Sequence, residues 1–178
     1  MTRARPLAFS AERPLEPGRY RHQSFVPALS FEVGEGWFAF QDVPGFFDIE
    51  RDPGTPDVMA VQFARPTGMA SSEAMLASIR ARGNLVIGPA ASRLIDGERS
   101  VGVVVDAADP DITVGRFVPV LEVTAGPISI ASGRRLEVIL LDRPGELLAI
   151  LVGGSIRGWE TARALARPVL ASIRFERA

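Results

Sequence analysis

The sequence predicts an α+β fold with a largely antiparallel β-sheet and helices packed on its faces. Short runs of alternating apolar and polar residues recur along the chain, and tight-turn pairs such as Asp96-Gly97 separate several of them. Two other stretches repeat their apolar residues every three or four positions, which is the spacing of an amphipathic helix. Two-residue turns join antiparallel strands, and the 178 residues are enough to bury a core without metal or disulfides.

The first half of the chain is expected to hold strands followed by a helix. Residues 1–24 show no periodicity, so we expect an N-terminal arm over 1–24 and a single α/β domain over 25–178. Strands are predicted in "ALSFEVGEGWFAF", on both sides of a type II turn at Pro44-Gly45, and in "PDVMAVQFAR". The helix is predicted to begin at a Ser71 or Ser72 cap and to stop at Gly83.

The second half is expected to contain hairpins and a closing helix. Asp96-Gly97 predicts a two-residue hairpin, and a meander follows whose last two strands are joined at residues 143–146. The run "LEVILL" is apolar enough for a central strand covered on both faces. Residues 162–173 carry a helical apolar stripe, with a kink or a restart expected at Pro168, and "IRFER" alternates like a short strand.

The composition excludes several kinds of site. The sequence has no Cys and no Lys, which excludes thiolate nucleophiles, thiolate metal sites, Schiff-base lysines and the phosphate-loop lysine. Its 20 basic residues, all Arg, nearly balance 21 acidic ones without a block of like charge. This balance argues against binding to nucleic acid or an anionic membrane. We therefore expect no nucleic-acid partner and no cofactor.

The apolar segments give an expectation about location. The longest apolar run, "LLAILV", is far too short to span a membrane, and the first residues lack the apolar core of a signal peptide. The sequence as it stands indicates the cytoplasm, and trimming of the N-terminus would leave an extracytoplasmic location open.

Three segments together resemble a known family. "LSFEVGEGW", the helix-to-hairpin segment "AMLASIRARGNLVIGPAASRLIDGERSVGVVVD" and the closing "ALARPVLASIRF" are similar to the corresponding parts of small bacterial domains related to the PsbP and Mog proteins. The resemblance covers about residues 25–176. It implies an α/β/α sandwich and an accessory or binding role, and it carries over no catalytic residue.

Four aromatic residues are candidates for binding a ligand or partner. Trp37, Phe38, Phe46 and Phe47 cluster near two predicted turns, where an aromatic lip would hold a small apolar ligand or a protein. Core packing at the end of the sheet would require the same residues, and it is the more common reason for such a cluster.

Acidic residues suggest two further sites, and both have simpler explanations. Asp106, Asp109 and Asp111 offer oxygen ligands for Ca²⁺ or Mg²⁺, but the segment lacks the spacing of a calcium loop and Asp beside Pro is ordinary turn chemistry. We therefore predict no metal site. Asp48 and Glu50 would suit a glycosidase pair, but the polar face of a solvated strand also places two carboxylates this way.

His22 is the only imidazole in the chain, so a serine-type hydrolase would have to use it as its base. The sequence has no G-x-S-x-G elbow, and we expect His22 to be a surface or capping residue. The leading hypothesis is a non-enzymatic accessory or binding domain, monomeric or homodimeric, for a protein partner or a small ligand. The alternatives are the His22 hydrolase and a carrier of an apolar ligand.

Overall fold

The computed structural model describes residues 4–10, 12–108 and 117–176, which form two helices and fourteen strands in three sheets. The strands of the first half are β1 (Arg5–Pro6), β2 (Gly18–His22), β3 (Leu29–Val33), β4 (Trp37–Val43), β5 (Phe46–Arg51) and β6 (Met59–Ala64). After α1 (Ser72–Arg80) come β7 (Leu85–Ile87), β8 (Ala91–Ile95), β9 (Glu98–Ala107), β10 (Phe117–Val123), β11 (Gly126–Ala131), β12 (Arg134–Arg143) and β13 (Glu146–Ser155), and the described chain closes with α2 (Trp159–Ser172) and β14 (Arg174–Phe175).

The large sheet has eight strands, all paired antiparallel, in the order β4-β5-β6-β13-β12-β9-β7, with β8 also paired to β9. This arrangement confirms the predicted α+β fold. The Asp96-Gly97 hairpin joins β8 to β9, and both residues have positive φ (50° and 79°), as a type I′ turn requires. The run "LEVILL" forms the buried part of β12, a central strand.

The large sheet is the middle of three layers. Alternate side chains of its strands point to opposite faces, and each face packs against its own layer. Ile139 and Leu141 of β12 face a core that they share with α2 and with a small sheet of order β1-β2-β3-β14. Val138 and Leu140 face a second core, shared with α1 and with the β10–β11 hairpin. Each outer layer thus contains one helix and one group of strands.

Helix α1 begins where the sequence indicates, and α2 continues through Pro168. The Ser71 side chain caps α1 by accepting a hydrogen bond from the backbone N–H of Ala74 at 3.2 Å, and the helix ends at Arg80, just before Gly83. The restart that was one of the two expectations at Pro168 is wrong, since α2 is one helix over Trp159–Ser172, and the kink stays a prediction. Ala166 and Val169, on either side of Pro168, are both buried against the sheet layers, and this packing holds the helix together across the missing hydrogen bond. Within the described residues, neither helix is long and apolar enough to cross a membrane.

The N-terminal segment, expected as an arm over residues 1–24, instead contributes strands β1 and β2. Strand β2 pairs with β3 over its whole length, and its Tyr20 is buried. Further along the segment, the backbone N–H groups of Ser10 and Leu15 donate to carbonyl oxygens of β4 at 2.8 and 2.6 Å. These bonds cover the exposed edge of β4, which would otherwise be free to pair with another chain.

Candidate functional site

A concave surface lies between the β10–β11 hairpin and the end of the large sheet formed by β4, β5 and β6. It is a cavity of about 480 Å³, and it is open to solvent at Gln41 and Phe117, which are exposed. A smaller cavity of about 170 Å³ shares Gln62, Phe117 and Ser129 with it and continues to Glu50 and Arg134. We call the two together the hairpin groove. Its apolar walls are Phe46 from the sheet and Phe117 and Ile128 from the hairpin.

The polar floor of the groove follows from strand register. Gln41 pairs with Asp48 and Asp48 pairs with Gln62, so their side chains share one face of the sheet. Asp48 is 3% exposed, accepts a hydrogen bond from the backbone N–H of Gln41 at 2.9 Å, and is also hydrogen-bonded to the Gln62 side chain. Burial, followed by repulsion from Glu50, raises the pKa of Asp48 to about 7. The expectation of a solvated carboxylate at this position is therefore wrong.

The far end of the groove holds one carboxylate and two arginines. Burial raises the pKa of the half-buried Glu50, although the charge of Arg134 opposes the change. Arg134 donates to the carbonyl oxygens of Pro56, at 3.2 Å, and Val58. Arg135 is paired with Asp106.

Arg135 is held by a carboxylate and an aromatic ring. Its Nε and Nη2 donate to the two carboxylate oxygens of Asp106 at 2.8 and 2.7 Å, and its guanidinium lies 5.9 Å from the centre of the Trp159 ring. Asp106 is thus part of an ion pair, while Asp109 and Asp111 lie outside the described residues. Among the described residues, no group of three or more His, Cys, Asp or Glu side chains is arranged to hold a metal.

The four candidate aromatic residues do not form a single lip, because the large sheet separates them. Trp37 and Phe47 are 2% and 0% exposed and belong to the core beneath α2. Phe47 stacks on Phe63 with ring centres 4.5 Å apart. Phe46 lies on the opposite face and lines the groove, and the half-buried Phe38 is paired with Glu50 on that same face.

His22 is buried, so the expectation of a surface residue is wrong, while that of a capping residue agrees with its contacts. Its Nδ1 accepts a hydrogen bond from the backbone N–H of Phe25 at 2.9 Å, and its Nε2 lies 3.1 Å from Oδ1 of Asp42. These partners fix a neutral ring with the proton on Nε2. Burial lowers the pKa of His22, against the attraction of Asp42. The ring lies 4.2 Å from the Phe47 ring, between centres.

Comparison with known proteins gives a fold but no family. No protein-family model matches the chain, and no curated protein sequence is detectably similar to it. The solution structure of cyanobacterial PsbP (CyanoP) from Synechocystis sp. PCC 6803 is similar, with a TM-score of 0.51 and 12% identity over 90% of this chain and 94% of that one. The crystal structure of LpqN, involved in cell envelope biogenesis of Mycobacterium tuberculosis, has a TM-score of 0.51 and 8% identity over 93% and 90%.

The chain has a PsbP-like fold. This confirms the PsbP part of the resemblance seen in the sequence, whereas the resemblance to Mog proteins stays a prediction. At 8–12% identity the likeness concerns the fold alone, and function has to be argued from the site.

The sequence did not point to most of the groove. Gln41, Gln62 and Ser129 are single polar residues in strand-like runs, and Phe117 directly follows the acidic stretch. Gln62 carried the one visible signal, since it is the only polar residue in the strand "MAVQFA". The others become neighbours only because the β10–β11 hairpin packs on this end of the sheet.

Proposed function

We propose that this protein is a non-enzymatic accessory domain that binds a small ligand in the hairpin groove. The observation that supports the proposal is a groove with apolar walls and a few convergent polar groups, which is the usual composition of a small-molecule site. Phe46, Phe117 and Ile128 supply the apolar contacts, and the side chains of Gln62 and Ser129 supply hydrogen-bonding groups.

The distribution of exposed apolar residues favours a small ligand over a protein partner. A partner-binding surface would need a contiguous apolar patch of several hundred Å². The exposed large apolar residues of the described chain instead lie on separate elements, with Phe40 on β4, Val86 on β7 and Leu94 on β8. Phe117 is 67% exposed and lies at the groove itself, where a ligand would cover it.

The contacts of His22 argue against the hydrolase alternative. A general base needs a free lone pair directed at the nucleophile. In His22 that lone pair, on Nδ1, is used by the backbone N–H of Phe25, and Nε2 faces a carboxylate, so no Ser hydroxyl of the described residues is its partner. A carrier of an apolar ligand would need an enclosed apolar cavity, and no such cavity lies at the candidate residues Trp37 and Phe47, because both side chains are packed in the core.

A neutral fragment tests the proposal directly. A fragment of about nine heavy atoms that gains roughly 0.3 kcal/mol per atom would bind with a dissociation constant of about 10 mM. We expect 2-phenylethanol to shift the ¹H–¹⁵N signals of Gln62, Ile128 and Ser129 while leaving those of α2 unchanged.

A variant that fills the groove provides the control. Ser129→Trp adds a large side chain at a residue that lines both cavities, and it should abolish the shifts. Leu94→Trp adds the same side chain on exposed β8 and should leave them intact. Shifts that persist in Ser129→Trp, or that map to a different surface, would refute the groove as the binding site.

A further inference from the structure

We propose that the ligand of the hairpin groove carries a cationic nitrogen with N–H donors, such as a primary ammonium group, on an apolar body. This inference rests on the proposed function. It follows from which hydrogen-bonding groups along the groove are already engaged and which remain available.

The positive charges of the groove are engaged by the protein itself. Arg134 donates to two backbone carbonyl groups, and Arg135 makes a bidentate ion pair with Asp106. An anionic ligand would be left with the remaining N–H groups of these guanidinium groups, and it would be repelled by Glu50 at the same end of the groove. The presence of two arginines therefore does not make this an anion site.

The acceptors of the groove, in contrast, are available. Glu50 is half-buried, and among the described residues it is influenced by the charge of Arg134 without any hydrogen bond to its carboxylate. When Asp48 is ionised it accepts from the amide nitrogen of Gln62, which leaves the amide oxygen of Gln62 free to face the groove. Both groups would accept hydrogen bonds from a ligand N–H.

An aromatic face lies between these acceptors and the open part of the groove. Phe117 lines both cavities and is 67% exposed, so its ring is accessible to a bound molecule. A cation is attracted to the face of an aromatic ring, and a charge-assisted hydrogen bond to a carboxylate is stronger than a neutral one. A cationic nitrogen near Glu50 would gain from both, while its apolar body would lie along Phe46 and Ile128.

Three probes of similar size distinguish cationic, neutral and anionic ligands. They are 2-phenylethylamine, which is an ammonium ion near neutral pH, the neutral 2-phenylethanol and the anionic 3-phenylpropionate. Dissociation constants would be measured by ¹H–¹⁵N NMR titration of the full chain at pH 7.5. We expect the ammonium probe to bind about tenfold more tightly than the alcohol, and the anion to bind most weakly.

Variants assign this preference to its residues. Glu50→Gln should reduce the ammonium preference from about tenfold to less than about twofold. Phe117→Leu should keep an apolar wall and reduce the preference about two- to threefold. Glu35→Gln, in the exposed turn before β4, removes the same charge and should change nothing.

Each outcome distinguishes this inference from the function beneath it. If the alcohol binds as tightly as the amine, or if Glu50→Gln retains the preference, the cationic class is wrong while the groove remains a binding site. Tighter binding of 3-phenylpropionate would overturn the inference in the same way. If none of the three probes shifts a groove residue, the proposed function itself fails.

Discussion

Replacing Asp48 with Asn should stabilise the protein at alkaline pH and have almost no effect at acidic pH. Burial raises the pKa of Asp48 from 3.8 to about 7, so the folded state resists the ionisation that the unfolded state allows. Between those pH values the folded protein binds more protons than the unfolded one, and its stability therefore falls as the pH rises. Asn removes the ionisation and keeps an oxygen that accepts from the backbone N–H of Gln41.

The pKa difference sets the size of the effect. It is about three units, and each unit corresponds to about 1.4 kcal/mol, so the penalty of the ionised carboxylate reaches at most about 4 kcal/mol at pH 8. Nearly full burial of Asp48 leaves little solvent to screen this penalty. The free energy of unfolding of Asp48→Asn should exceed that of the wild type by an amount that grows from near zero at pH 4 towards this limit.

Urea denaturation of both proteins at several pH values between 4 and 8 measures this difference, in which the other titrating groups largely cancel. Glu35→Gln controls for the loss of one negative charge from an exposed turn. A difference that is the same at pH 4.5 and pH 8, or a wild type that is more stable than Asp48→Asn at pH 8, would show that Asp48 is not held neutral by burial.

Three further predictions concern the layer of α2. In Gly154→Ala the new Cβ would lie 2.8 Å from that of Ala162, so chemical denaturation should show a loss of about 1–3 kcal/mol in the free energy of unfolding. Gly153→Ala should be tolerated, because the atom nearest to its new Cβ, Cδ1 of Leu136, is 3.5 Å away. Phe47→Ala should cost about 3–5 kcal/mol in the same assay, and a loss below about 1 kcal/mol would contradict its place in the core. In His22→Gln, stability should no longer fall as the pH drops below about 6.5, as it does in the wild type. The reason is that the pKa of His22 is lowered in the folded state, so only the unfolded ring takes up a proton there. An unchanged pH profile would argue against the buried neutral ring.

Local patterns predicted most of the elements correctly because they arise from interactions between residues close in sequence. The Asp96-Gly97 turn, the Ser71 cap and the apolar run of β12 depend on backbone conformation and on alternation, and both can be read from neighbouring residues. The helix does not restart at Pro168 because it gains more from burying both sides of the proline than it loses in one hydrogen bond. Residues 18–22 were not predicted as a strand because β2 gains its hydrogen-bond partners from β3 and β1, which lie elsewhere along the chain.

The site was less predictable than the fold. Of the four aromatic candidates, Phe46 lines the groove, and Trp37 and Phe47 lie on the other side of the sheet, since a shift of one position along a strand reverses the face. Asp48 reads as a solvated residue in sequence because it alternates with apolar neighbours. Its burial depends on the hairpin layer that covers that face of the sheet.

The sequence by itself determined the α+β class, the hairpins, both helices and the exclusion of thiol and lysine chemistry, because composition, periodicity and turn residues act locally. Only the tertiary structure decided which strands lie at the edges, that both faces of β5 are buried, and that Glu50, Gln62 and Phe117 line one groove. Those relations join residues far apart along the chain, and the packing of the β10–β11 hairpin on the large sheet creates them.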